Sequence, residues 1–141
     1  MVWNVNEYPG SFMNIAQKLA SLTLVFAATL AFAENGVTDK EILIGQFAAI
    51  SGPAAQLGQR MQVGMQAYFT AVNAQGGVNG RAIKLLTRDD GYEPEKAVAA
   101  VKALIQEDKV FALAGSVGTP TGLAALPILT EQQVPLVGMF T

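Results

Sequence analysis

The sequence predicts an α/β fold, a doubly wound parallel sheet of flavodoxin-like or Rossmann-like type, and two observations predict it. Short apolar runs of strand length, Ile42-Leu43-Ile44, Ile83 to Leu86, Val110 to Leu113 and Leu136-Val137, alternate with segments of helical period. Clusters of turn residues mark each change of period: Ser51-Gly52-Pro53, Asn73 to Arg81, and Ala114 to Pro120. Such alternation argues for βαβ units, since parallel neighbours require a long crossover that a helix supplies. Four strands and three helices are expected.

The first strand, Ile42 to Phe47, runs into Ser51-Gly52-Pro53, and a long amphipathic helix follows from about Gln56 to Ala74. In an open α/β sheet, ligands lie outside the carboxyl ends of strands, where helix N-termini present unpaired N–H groups and partial positive charge. A small Ser51-Gly52 turn leaves room for a ligand there; the same residues serve equally well to turn the chain and cap the helix. Leu57, Met61, Met65, Tyr68, Phe69 and Val72 recur at three- and four-residue steps. That stripe reads as sheet-facing core, with Gly76 as the left-handed stop.

The second strand is expected over Ala82 to Thr87. Asp89 and Asp90 follow it as turn and cap ligands, because adjacent residues on an extended chain point to opposite faces and make a poor catalytic pair. The second helix opens with Pro94, whose missing N–H costs nothing in a first turn, and repeats the apolar period with Ala97, Val101, Leu104 and Ile105. Glu93 before it is a poorer N-cap than Asp or Ser. After the third strand, Thr119 reads as the N-cap and Pro120 as the first helical residue of the third helix. Pro127 inside that helix predicts a bend near Leu123, whose carbonyl would lose its hydrogen bond.

The chain has 141 residues, a formal net charge of −2 and neither Cys nor His. A histidine base, a thiolate nucleophile, a Cys/His zinc site and disulfides are therefore excluded, and no Gly-x-Gly-x-x-Gly follows the first strand. The reading is of a protein that is not an enzyme and uses no cofactor. Scattered Lys and Arg give no basic stripe for nucleic acid. Residues 13–33 read as a signal peptide: Lys18, an apolar run Leu19 to Phe32, and an Ala31-Phe32-Ala33 cleavage site before Glu34. The run is shorter than the roughly 18–20 residues that a bilayer core requires. Residues 1–12, with Glu7 and Pro9-Gly10, do not resemble an n-region, so Met13 is the expected start and 1–12 an upstream extension.

Taken in order, Ser51-Gly52-Pro53, Asn73-Ala74-Gln75-Gly76-Gly77-Val78-Asn79-Gly80-Arg81, Asp89-Asp90, Pro94 and Ala97-Val98 resemble the type I periplasmic substrate-binding proteins of the leucine/isoleucine/valine-binding family. The resemblance covers about Glu41 to Thr141. It implies an exported, periplasmic solute-binding component of an ABC importer, capturing a branched-chain-like amino acid or small carboxylate and delivering it to a membrane permease. The same fold also serves as the outer domain of receptors and as an amide sensor. Residues 34–141 would be a partial amino-terminal lobe, without the second lobe that closes over the ligand.

Site residues follow from the resemblance. Ser51 and Gly52 match the first ligand loop. Thr119 matches the hydroxyl residue that binds the ligand carboxylate, a role compatible with helix capping. Phe140 matches a backbone carbonyl that meets the ligand ammonium, and Thr141 is the hydroxyl nearest to a second contact. Leu57 takes a pocket-lining position that is often aromatic.

Overall fold

A computed structural model describes residues 34–140. The expected signal peptide, its cleavage site, the upstream extension and Thr141 lie outside the described residues. Strands β1 (Glu41–Ala48), β2 (Ala82–Asp89), β3 (Ala112–Ala114) and β4 (Leu136–Val137) alternate with helices α1 (Ala55–Ala74), α2 (Pro94–Gln106) and α3 (Thr119–Gln132). The sheet is parallel throughout, in the order β2-β1-β3-β4. The α/β class and the parallel sheet are therefore as the alternating periods predict.

Strand order follows from the connections. β1 pairs along its full length with β2, from Glu41↔Ala82 to Ala48↔Asp89, and then on its other side with β3 through Ile44↔Ala112. The chain thus reverses its direction of travel across the sheet between β1 and β3. Ligands in open α/β sheets bind at such a switch point, at the carboxyl ends of the strands.

Helix α1 ends where Gly76 adopts φ 99° and the Gly77 N–H returns to the Val72 carbonyl at 3.0 Å. Asn73 then clasps the start of β2, accepting from the Ile83 N–H at 2.7 Å and donating to its carbonyl at 2.8 Å. Glu93 is the N-cap of α2 and makes no capping bond with its side chain; it pairs instead with Lys96 at 2.8 Å. The third strand begins at Ala112, two residues later than expected. Lys109 takes φ 55° and the Val110 N–H still bonds the Leu104 carbonyl at 3.1 Å, so the chain is leaving α2 at that point. Residues 119–132 are helical on both sides of Pro127.

The core lies on one side of the sheet. Phe47, Val101, Leu104, Leu113 and Ala125 are fully buried between the sheet and the α2–α3 pair, with Val110 and Leu129 beside them. The α1 stripe departs from expectation. Met61, Met65, Phe69 and Val72 are only half-buried, while Leu57 is 46% and Tyr68 68% exposed. Gly58 is the buried residue of α1: a side chain there would meet the Ala49 carbonyl oxygen, so glycine lets the helix touch the loop that precedes it.

Candidate functional site at the sheet switch point

Three loops meet at the carboxyl ends of the strands: those after β1, β2 and β3, with the segment after β4 closing the fourth side. Each is held by polar contacts, because a loop that leaves a sheet must find partners for its own amides.

Asp89, the last residue of β2, organises the first two. Its Oδ1 accepts from the Ile50 N–H at 2.8 Å, the Gly91 N–H at 2.9 Å and the Ser51 N–H at 3.2 Å. Slight desolvation pushes its carboxyl up, but the hydrogen bonds from Ser51, Ile50 and Gly91 outweigh that and lower its pKa to about 2. The Ser51 amide is therefore engaged by Asp89. Gly52 is different: it adopts φ 78° and has open space on its Cα, with only the Gly91 carbonyl within 4 Å of where a side chain would begin.

Asp90 is fully buried. Its Oδ1 accepts from the Tyr92 N–H at 2.8 Å, and burial raises its pKa, opposed by the Tyr92 amide and aided by the neighbouring Asp89 charge. Both carboxylates thus serve backbone amides, as the turn-and-cap reading of the sequence expects. Asp89 clasps the loop after β1 to the loop after β2, whereas Asp90 bonds within the loop after β2.

Helix α3 starts one residue earlier than expected. Gly118, at φ 119°, is the N-cap, and Thr119 and Pro120 occupy the first turn. The first helical bond runs from the Gly122 N–H to the Gly118 carbonyl at 3.0 Å. Thr119 and Thr121 consequently carry N–H groups without a helical acceptor, and Pro120 has none to offer. Thr121 is buried and donates its hydroxyl to the backbone, with the Gly118 and Val117 carbonyls 3.0 and 3.1 Å away. Thr119 is exposed. The reason for the shift is that a glycine with positive φ makes the sharp entry into the helix, which a threonine would resist.

The β4 segment joins this turn directly. The Gly118 N–H donates to the Phe140 carbonyl and the Phe140 N–H to the Ser116 carbonyl, each at 2.9 Å, a parallel bridge of Val117 with Phe140. The turn that carries Thr119 is thereby tied to Phe140. Leu57 reaches the same end of the sheet, where Leu57, Arg60, Met61 and Phe140 line a concavity of about 320 Å³. Ser51 and Gly52 are not among its lining residues and sit on the Asp89 clasp.

Some residues of the site carry little signal in the sequence. Gln46 is fully buried in β1, donating to the Gly115 carbonyl at 2.8 Å and accepting from the Thr87 hydroxyl at 2.9 Å. It ties β1 and β2 to the start of the loop after β3, and one amide in an otherwise apolar run is the only hint of it. Ser116 and Tyr92 also emerge only in three dimensions. A larger groove beside α2 holds Arg88 and Lys96, but both cations are already matched: Arg88 with Asp108 at 2.8 Å, Lys96 with Glu93. Among the described residues, no cluster of acidic side chains has the makings of a metal site.

Residues 41–141 match the family model described as periplasmic binding protein. The chain belongs to this family, as a type I periplasmic binding protein of the leucine/isoleucine/valine-binding kind. It is 30% identical over 115 residues to a Leu/Ile/Val-binding protein homolog of Brucella melitensis, covering 82% of this chain and 30% of that protein. Among solved structures, a possible leucine/isoleucine/valine-binding protein from Rhodopirellula baltica superposes with a TM-score of 0.70 at 36% identity, over 79% of this chain and 29% of that one. The branched-chain amino acid transporter substrate binding protein of Streptococcus pneumoniae, in complex with isoleucine, gives 0.68 at 31% identity, over 72% and 30%. The chain spans about 30% of the length of that Brucella relative. Its four-stranded sheet and three helices correspond to part of one lobe of such a binding protein.

Proposed function

We propose that this lobe captures a small zwitterion or carboxylate, of which a branched-chain amino acid is the first candidate, as the solute-binding component of an ABC importer. The observation that carries the reading is the junction of Thr119 with Phe140. Exposed Thr119, at the start of α3, offers a hydroxyl and an unpaired amide suited to a carboxylate, and the adjoining Phe140 carbonyl can accept from an ammonium. A zwitterionic amino acid carries these two groups next to each other. Gly52 supplies open backbone across the switch point, and Leu57 an apolar wall beside Phe140. Thr141 stands next to Phe140 in the chain as the second hydroxyl.

In this proposal residues 13–33 direct export and the mature protein begins at Glu34, in the periplasm, which mass spectrometry of that fraction would show. A second lobe closing over the ligand would present the closed form to a membrane permease, as hinge closure does in periplasmic binding proteins generally.

Thr119→Asp tests the site. Helix α3 has no acidic residue in its first turn, so Asp should keep or slightly raise stability, by about 0.3–1 kcal/mol. Placed where the ligand carboxylate binds, it should weaken L-leucine binding about 10- to 150-fold, the equivalent of a lost hydrogen bond to a charged group. NMR titration at millimolar leucine, alongside a melting curve, reads both. Unchanged affinity would remove Thr119 from the site.

A further inference from the structure

We infer that Tyr92 is a specificity-determining ligand contact of this lobe, its ring forming the wall beside Thr119; the inference rests on the capture reading above and adds to it a residue from the loop after β2. Tyr92 adopts φ 66°, a left-handed backbone that bulky side chains resist. The loop enforces it: the buried Asp90 accepts its N–H at 2.8 Å. The ring then lies against the N-cap of α3. A side chain on Gly118 would begin 2.7 Å from Tyr92 Cε2 and 3.1 Å from Cζ, so the ring occupies the side of Gly118 that a side chain would fill. Gly118 and Thr119 are consecutive, with Cα atoms about 3.8 Å apart.

This conformation is not a product of core burial, since the residue remains 37% exposed. A strained backbone that rests part of an aromatic ring on Gly118 and leaves the rest open beside a helix's first turn suits contact with a ligand. The two loops also seal polar atoms beneath this surface. Asp90 Oδ2 and Ser116 Oγ are buried without a hydrogen-bond partner among the described residues, and they lie in the two loops that Tyr92 and Gly118 bring together. A ligand whose carboxylate sits on the first turn of α3 would lay its α-carbon and ammonium within reach of the ring, which covers alkyl groups and attracts cations over its face. Tyr92 then favours amino acids over smaller anions that share only the carboxylate.

The test uses the chain labelled with 3-fluorotyrosine, the Tyr92 resonance being assigned by its loss in Tyr92→Phe. On titration with L-leucine that resonance should shift saturably while Tyr68, exposed on α1, stays put. Tyr92→Asn, which suits a left-handed backbone, should hold or raise the melting temperature yet weaken leucine binding about three- to tenfold. Tyr92→Phe keeps the ring and should bind within about twofold of the parent. A Tyr92 resonance unmoved while the Thr119 amide shifts, or an Asn variant of unchanged affinity, overturns the inference and spares the capture reading. Leucine moving neither group overturns both. Loss of binding in Tyr92→Asn without loss in Thr119→Asp upholds the Tyr92 contact and removes the Thr119 role.

Discussion

The two faces of the sheet carry the same apolar periodicity and end in different states. On one, α2 and α3 lie side by side and seal Phe47, Leu104 and Leu113 from water. On the other, α1 has no helical neighbour among the described residues, and its Met61, Met65 and Phe69 are half-covered. A helix buries a stripe fully only when a neighbour closes the groove along its flank, which α2 and α3 do for each other. The sealed face holds the lobe together, whereas the α1 face, with Leu57, Met61 and Phe140 around a concavity, is where the molecule presents apolar surface next to its polar loops.

The largest effect that would break or support this comparison is expected on the sealed face. Leu104→Ala should cost about 3–5 kcal/mol, the range for a fully buried leucine, and a denaturant midpoint measures it. Met65→Ala on the open face should cost less than half as much; equal losses would mean that the two faces contribute alike.

Gly58→Ala comes next. Its new methyl would strike the Ala49 carbonyl oxygen, a backbone atom with little freedom to move, so α1 must shift at a cost of about 1–3 kcal/mol. A melting temperature unchanged by this substitution would show that α1 is not seated on the loop as described.

Asp89 yields a smaller, pH-dependent effect. Its folded pKa of about 2 lies below the ordinary 3.8, so its contribution is present above about pH 4 and is lost as pH falls toward 2. Because the side chain is exposed, solvent screening limits this to about 1 kcal/mol. Asp89→Asn should flatten the stability profile between pH 4 and 2 relative to the parent, as thermal melts across that range would record. The smallest change belongs to Leu57→Ala. At 46% exposure it should alter stability by no more than about 0.5 kcal/mol, while weakening leucine binding if the concavity holds the ligand's side chain.

Much of this was legible beforehand. The four apolar runs, the Gly76 stop, Pro94 in its first turn and the Asp89-Asp90 turn are local features, decided by backbone preferences within a few residues. The misplaced N-cap shows the limit. Thr119 before Pro120 is a good local signal, yet Gly118 takes the cap because its amide must reach the Phe140 carbonyl, a partner more than twenty residues away in the chain. Leu57 and Tyr68 fail in the same way: periodicity marks a stripe as apolar without stating how wide the surface opposite it is.

The sequence by itself determined the class of fold, the order of elements and the family, because alternating periods and turn residues act over short range. Tertiary structure alone decided which apolar stripe is sealed, which carboxylate clasps which loop, and that Tyr92 lies against Gly118. Those outcomes depend on which strand lies between which neighbours. The order β2-β1-β3-β4 places the loops after β1, β2 and β3 at one end of the sheet, and their contacts link residues that no local pattern relates.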